Sequence, residues 1–151
     1  MTHVVAIIGS RDWPDPERVR DFVRKLAAKY PDATVISGGA YGVDQAAEET
    51  AQDEGLGVLS CRVNRDHQCE LVWNERADYL LGKVALGYIE LLLEGNFATA
   101  RDALLHRNTV IVQCANHVVA FWKPQSRGTL HAINHAHSLK RPVHIYRPED
   151  T

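Results

Sequence analysis

Residues 34–44 read Thr-Val-Ile-Ser-Gly-Gly-Ala-Tyr-Gly-Val-Asp and join a short apolar segment, a glycine-rich turn and the start of a helix. The apolar segment, Thr34 to Ile36, is β-branched, which is typical of a buried strand. From about Val43 onward, three small residues (Ala46, Ala47 and Ala51) share one helical face. A strand that runs into a helix through such a turn is the repeating unit of parallel α/β sheets.

The segments on both sides of this unit repeat the alternation of strand and helix. Upstream, Val4 to Ile8 is an apolar run without polar alternation, as in a strand covered on both faces, and Asp15-Pro16 begins a helix. Downstream, Gly57 to Cys61 has the composition of a third strand. The connections between these strands are too long for hairpins, so the strands are predicted to be parallel, with right-handed crossovers.

Two more strands are predicted near the C-terminus, at His117 to Trp122 and at Pro142 to Tyr146, with a helix from Ser126 between them. The sequence therefore predicts an α/β fold, a Rossmann-like three-layer sandwich with a mostly parallel five-stranded sheet.

The middle of the chain is less regular. Arg62 to Glu70 is polar and is predicted to be a loop, and Glu70 to Glu94 is predicted to be a long helix that is apolar on more than one face. Such a helix is buried, either over the sheet of its own chain or against a second copy, so we expect a homo-oligomer. One helix is predicted for residues 98–106 and another short one from Arg107. The chain is thus predicted to be a single domain, 1–151, with a helical insertion at about 70–106.

Composition limits the function classes. The chain has 151 residues with 17 Lys and Arg against 19 Asp and Glu, a formal charge of −2. This balance does not favour a diffuse cationic grip on nucleic acid or on anionic lipid, so we expect neither as a partner, although it leaves a local basic patch open. Three cysteines, no cleavable leader and no apolar run of about 18 residues predict a reduced, cytoplasmic protein with no membrane partner.

Three predicted strand ends carry glycine and small polar residues directly before a helix. These are Gly9-Ser10-Arg11, the turn at 37–44 and the segment at 126–129. Parallel strands place such ends at one edge of the sheet, where backbone N–H groups and helix N-termini favour a phosphate. No segment fits G-x-G-x-x-G or G-x-x-x-x-G-K-[ST], so no cofactor is predicted, neither NAD nor a P-loop triphosphate.

As an ordered set, these segments resemble the SLOG superfamily, a Rossmann-like group that includes the LOG phosphoribohydrolases and the single-stranded-DNA-binding DprA proteins. The resemblance is greatest to its bacterial and phage YspA-like branch and covers the chain except about Arg62 to Ala103. It implies a nucleotide-like ligand held by the residues at the three strand ends and by an arginine–asparagine pair. The implied ligand- and phosphate-binding residues are Gly9, Ser10, Arg11, Ser37, Gly38, Gly39, Ala40, Tyr41, Gly42, Asp44, Arg107, Asn108, Ser126, Gly128 and Thr129.

The LOG enzymes carry P-G-G-x-G-T-x-x-E, and the glutamate of that motif assists glycosidic cleavage. An alignment on Gly128-Thr129 puts Ala132 at the position of that glutamate. Asp44 or Asp12 could supply a carboxyl instead, and Asp44 is the predicted catalytic residue if there is one. His131 and His135 lie four residues apart, as metal ligands on a helix do, but no third ligand follows at metal spacing, and no metal site is predicted.

Three functions are consistent with these observations. The first is a sensor or binding module for a nucleotide or nucleotide-derived ligand, because the phosphate-binding edge is intact and the glutamate is absent. The second is a nucleotide N-glycosidase or phosphoribohydrolase-type enzyme. The third is DprA-like binding of single-stranded DNA.

Overall fold

The computed structural model describes residues 3–149, in which six strands form one sheet in the order β4-β3-β2-β1-β5-β6. All neighbouring strands pair in parallel except β3 and β4, which are antiparallel. The elements are β1 (Val4–Gly9), α1 (Pro16–Lys29), β2 (Thr34–Ser37), α2 (Val43–Asp53), β3 (Gly57–Val63), β4 (Cys69–Trp73), α3 (Glu75–Leu93), α4 (Ala100–Cys114), β5 (His117–Phe121), α5 (Arg127–Ser138) and β6 (Val143–Tyr146).

The sheet is the middle layer of three. Side chains alternate along β1, so that Val5 and Ile7 pack under α1 and α2, whereas Ala6 and Ile8 pack under α3, α4 and α5. The predicted three-layer Rossmann-like fold is therefore confirmed. The chain order reverses between β1 and β5, and in open α/β sheets ligands bind outside the carboxyl ends of the strands at such a point.

The prediction of five strands was wrong, because residues 69–73 form an antiparallel strand, β4, and not the start of a helix. The register pairs Val63 with Cys69 and Leu59 with Trp73. The turn between β3 and β4 is held by the Asn64 side chain, whose Oδ1 accepts hydrogen bonds from the backbone N–H groups of Asp66 (2.9 Å) and Gln68 (3.0 Å). The segment from 62 to 70 is therefore a hairpin, and the insertion at 70–106 is not entirely helical.

The long helix predicted to begin at Glu70 begins at Glu75, after the N-cap Asn74, and is broken at Gly82. Gly82 has φ 82° and ψ 163°, a conformation that favours glycine. The predicted division at Arg107 was also wrong: α4 is continuous from Ala100 to Cys114. This stretch contains neither proline nor glycine, and the Arg107 side chain is buried. No helix within residues 3–149 is long and apolar enough to cross a membrane.

Candidate functional site

A cavity of about 620 Å³ opens at the carboxyl edge of β1, β2 and β5, beside the N-termini of α2 and α5. A second cavity of about 590 Å³ adjoins it, and residues of the Gly38–Ala40 loop line both. The predicted site residues that line the first cavity are Gly9, Ser10, Arg11, Gly38, Ala40, Asp44, Arg107, Asn108, Ser126, Gly128 and Thr129. Gly39 and Tyr41 line the second, whereas Ser37 and Gly42 line neither of the two.

Arg107 occupies the centre of the site and is buried, with 8% of its surface exposed. Its Nη1 donates to the carbonyl of Gly38 at 2.7 Å, and its Nε donates to Asn108 Oδ1 at 3.1 Å. Gly38 lies between Arg107 and Asp44, since a Cβ at Gly38 would lie 2.7 Å from Arg107 Cζ and 2.9 Å from Asp44 Oδ2. The loop therefore needs glycine at position 38 for the arginine and the carboxylate to meet it.

Asp44 is the carboxyl group in the first turn of α2, with 7% of its surface exposed. Burial raises its pKa to about 7, although the positive charge of Arg107 and the hydrogen bond from the Ala40 N–H act in the opposite direction. That hydrogen bond to Oδ2 is 3.2 Å long. A carboxyl group that titrates near neutral pH can donate or accept a proton at that pH.

Glu48 is a site residue that the sequence interpretation missed. Its Oε2 accepts from the Gly39 N–H at 2.9 Å and from Ser60 Oγ at 3.2 Å, and it is also bonded to the hydroxyl of Ser37. Glu48 lies four residues after Asp44, the spacing that places two side chains on the same face of a helix, and this signal could have identified it. The N–H groups of Gly39 and Ala40 are thus bonded to the Glu48 and Asp44 side chains of α2 and are not free to bind a ligand phosphate.

Gly42 has φ 84° and precedes α2 directly. A Cβ there would lie 2.4 Å from the carbonyl oxygen of Arg11. Glycine at position 42 therefore allows the turn after β1 to pass close to the start of α2, and it shapes the site without facing the cavity.

The end of β5 connects to the end of β1 through polar contacts. The backbone N–H of Lys123 donates to Ser10 Oγ at 3.0 Å, and Lys123 Nζ pairs with Asp12 at 2.8 Å. The side-chain hydrogen bond from Lys123 lowers the pKa of Asp12. These contacts join the two strands on either side of the point where the chain order reverses.

The N-terminus of α5 forms the opposite wall of the first cavity. Ser126 is its N-cap, and the Ser126 and Thr129 hydroxyl groups are 2.7 Å apart. The indole Nε1 of Trp122 donates to the Ser126 carbonyl at 3.1 Å, which ties the tryptophan to this turn. A Cβ on Gly128 would meet only Asn108 Nδ2, at 3.8 Å, so the space in front of Gly128 is open.

His131 also lines the first cavity. Within residues 3–149, the Nε2 atoms of His131 and His135 are buried and have no hydrogen-bond partner. Desolvation, followed by the charge of His131, lowers the pKa of His135. In the same part of the chain, no group of three or more His, Cys, Asp or Glu residues could hold a metal ion.

Five arginines gather at this edge although the whole chain is acidic. Of the carboxyl groups that line the first cavity, Asp12 is paired with Lys123 and Asp44 has a pKa near neutral. Glu48 and Glu49 line the second cavity, and Glu48 accepts a hydrogen bond from the Gly39 N–H. The sequence interpretation included Arg11 and Arg107 among the site residues but missed Arg101 of α4, Arg127 at the start of α5 and Arg62 of β3. The arginines that line the first cavity are Arg11, Arg101, Arg107 and Arg127, and Arg62 lines the second with Arg11 and Arg107.

The family model of DNA recombination-mediator protein A matches residues 1–150. No curated protein matches the sequence. Similar solved structures include the DNA processing protein A of Streptococcus pneumoniae, at 21% identity and a TM-score of 0.67, over 95% of this chain and 50% of that one. Another is the DNA processing protein A of Helicobacter pylori, described for its single-stranded DNA binding mode, at 21% identity and a TM-score of 0.64, over 95% of this chain and 64% of that one.

A third similar structure is the structural-genomics target TM1055, at 20% identity and a TM-score of 0.61, over 93% of this chain and 72% of that one. At these identities the structural likeness shows the fold. The chain spans half of the pneumococcal protein and less than two thirds of the Helicobacter protein. The family match contradicts the prediction that nucleic acid is not a partner, since the family is one of DNA recombination mediators.

Proposed function

Because the chain belongs to the DNA recombination-mediator protein A family, we propose that the two adjoining cavities at the carboxyl edge of its sheet, here called the groove, bind single-stranded DNA. The observation that carries this proposal is the concentration of arginines around the two adjoining cavities. The net charge of −2 does not oppose it, because binding depends on the local potential where the phosphates lie. Assignment to the YspA-like branch stays a prediction.

The arginines that line the first cavity differ in how firmly their side chains are held. Arg107 is buried and bonded to the Gly38 carbonyl, so it supplies a fixed positive charge at the centre of the groove. Arg11, Arg101 and Arg127 are exposed, so their guanidinium groups can move to meet successive phosphates. The planar fork of arginine can donate two parallel hydrogen bonds to one phosphate.

The exposed ring of Tyr41 favours single-stranded over double-stranded DNA, because the bases of a single strand are accessible for stacking. It is 81% exposed and lies beside the second cavity. Proteins that bind single strands combine a cationic groove with aromatic rings on which bases stack, and each stacked base is worth about 1–3 kcal/mol. Because Tyr41 and Arg11 line the same cavity, we expect Tyr41 to stack on a base whose phosphate contacts Arg11.

A second candidate function, supported by the pKa of Asp44, is the binding or N-glycosidic cleavage of a free nucleotide. The first cavity is within the range of roughly 300–1,000 Å³ typical of small-molecule sites. Ala132 also lines it, so the carboxyl groups in its lining are Asp12 and Asp44. With a pKa of about 7, Asp44 could protonate a departing base.

Fluorescence anisotropy with a labelled oligothymidylate of about 20 nucleotides, titrated with salt, tests DNA binding. We expect Arg101→Gln and Arg127→Gln each to weaken binding by roughly 3- to 10-fold and to reduce the salt slope by about 0.7 for each lost phosphate contact. The matched control is Lys29→Gln, which removes an exposed positive charge from the end of α1, far from the groove. Absent binding, or an equal loss in the control variant, would refute the proposal.

Asp44→Asn separates the two candidates. DNA binding through phosphates predicts an affinity within about threefold of the wild type, because the arginines are unchanged. Cleavage predicts that free base, detected by mass spectrometry after incubation with mononucleotides, is released by the wild type and not by this variant. If the wild type releases no base, cleavage is eliminated, and an intact mononucleotide retained on the protein would leave binding as the second candidate.

A further inference from the structure

A separate cavity of about 600 Å³ lies between α1 and the strands β1, β5 and β6, and it is called the α1 cavity here. It opens near the amino ends of the strands, since its lining includes Val5 of β1 and His117, the first residue of β5. Among residues 3–149 it shares no lining residue with the groove, which lies at the opposite edge of the sheet. Its volume is within the range of roughly 300–1,000 Å³ typical of small-molecule sites.

One face of α1 forms a wall of the α1 cavity that is both apolar and cationic. The residues of α1 that line the cavity at i, i+3, i+4 and i+7 are Phe22, Lys25, Leu26 and Lys29. Residues at this spacing share one face of a helix, so the wall is about 10 Å long. An elongated apolar group can therefore lie along it.

The sheet supplies an apolar floor. Val5 and Val119, each 5% exposed, belong to the core cluster on the α1 side of the sheet. At one end of the floor, the ring of Tyr146 lies 6.3 Å from the ring of Phe22. At the other end is Tyr30, which is 37% exposed. The floor and the wall together can remove an apolar chain from water.

The ionisable side chains around the α1 cavity include no carboxylate in the described part of the chain. The lysines and histidines that line it are His3, Lys25, Lys29, His117 and His144. The sequence explains this on the strand side, because no Asp or Glu occurs between positions 103 and 148, the stretch that contains β5 and β6. The cavity therefore favours a ligand that carries negative charge.

The two lysines of the wall are available to an anion. Within residues 3–149 neither has a carboxylate partner. Asp21, one turn before Lys25, is paired with Arg24 at 3.1 Å instead. Lys29 Nζ lies 5.5 Å from the centre of the Tyr30 ring, so this charge is held at the end of the cavity.

We propose that the α1 cavity binds a small carboxylate with an unbranched apolar chain, such as a medium-chain fatty acid. The chain lies on the floor along α1, and the carboxylate pairs with Lys25 and Lys29 at the open side. Among the described residues no arginine lines the cavity, so the planar fork that suits a phosphate is confined to the groove.

Methyl NMR of the full chain, titrated with decanoate below its micellar concentration, tests the site. We expect saturable shifts of the methyl groups of Val5, Leu26 and Val119. The methyl groups of Val84 and Leu91, which are exposed on α3, should not shift. Affinity should rise about fourfold for each methylene added between hexanoate and decanoate, because each one is buried.

The double variant Lys25→Gln with Lys29→Gln tests the charge. It should weaken the binding of decanoate by roughly 3- to 10-fold, because two exposed cations are lost. It should leave the binding of decanol, which is neutral, within about twofold of the wild type. Lys83→Gln, which removes an exposed cation from α3, is the matched control and should change neither affinity.

Three results would overturn the proposal. The first is the absence of saturable shifts at about 1 mM decanoate. The second is a set of equally large shifts on α3, which would show adsorption to any exposed apolar surface. The third is an unchanged affinity of the double variant for decanoate, which would remove the carboxylate from the two lysines. Because the α1 cavity and the groove share no lining residue, none of these results depends on DNA binding.

Discussion

Replacing Asp44 by asparagine should increase stability, and the increase should grow with pH. The pKa of Asp44 rises from its ordinary 3.8 to about 7 in the folded chain. Folding therefore favours the protonated carboxyl, so the contribution of Asp44 to the free energy of unfolding is most favourable below about pH 4 and falls by about 1.4 kcal/mol per pH unit up to about pH 7. Above that pH the loss is constant, at about 4 kcal/mol. An asparagine carries no such penalty, and its amide oxygen can still accept from the Ala40 N–H.

Urea denaturation followed by circular dichroism, at several values between about pH 5 and pH 8, measures this difference. The free energies of unfolding of the two proteins should diverge by roughly 2 kcal/mol between about pH 5 and pH 7 and approach a constant difference above that. Asp53→Asn, at the exposed end of the same helix, is the control and should follow the wild type. Parallel curves for the wild type and Asp44→Asn across the whole range would falsify the assignment of a buried, protonated carboxyl at position 44.

Two further stability predictions follow from local packing. Gly38→Ala should lower the free energy of unfolding by about 1–3 kcal/mol, because the alanine Cβ would lie 2.7 Å from Arg107 Cζ. Gly128→Ala should leave it unchanged or raise it by up to about 1 kcal/mol, because the nearest atom to a Cβ there is 3.8 Å away. Equal melting temperatures of the two variants would contradict this reasoning. Asn74→Ala should lower the free energy of unfolding, measured by urea denaturation, by about 2–4 kcal/mol. The reason is that Asn74 caps α3 and also accepts a hydrogen bond of 3.0 Å from the Val58 N–H. A loss under about 1 kcal/mol would count against that double role.

The strands of the central sheet could be predicted because their residues are apolar on both faces. β1, β2 and β5 are such runs, and each is followed by a turn signal. β4 is an edge strand whose sequence, Cys69 to Trp73, lacks strict alternation and runs into α3 without glycine or proline. Its signal was in the turn before it, where Asn64 and Asp66 favour a reversal of the chain.

The position of the cavities at the carboxyl edge of the sheet could also be predicted, because parallel strands bring their carboxyl ends together whatever the details of packing. Of the arginines that line them, only Arg11 and Arg107 were predicted. Arg62, Arg101 and Arg127 reach the groove from three different elements, and only the tertiary fold brings them together. Net charge failed as a guide because it sums over the whole chain, including acidic residues of α1 and α3 that lie outside the groove.

The hydrogen bonds from the Gly38–Ala40 loop to α2 have a kinetic consequence. Asp44 and Glu48 hold the loop through its own N–H groups, so its shape is set when the domain folds and does not depend on a ligand. If this edge binds single-stranded DNA as proposed, the arriving DNA meets a preorganised surface on which only the exposed arginines must reorient. Association should then be limited by diffusion and by electrostatic attraction, and differences in affinity among strands should arise in their dissociation rates.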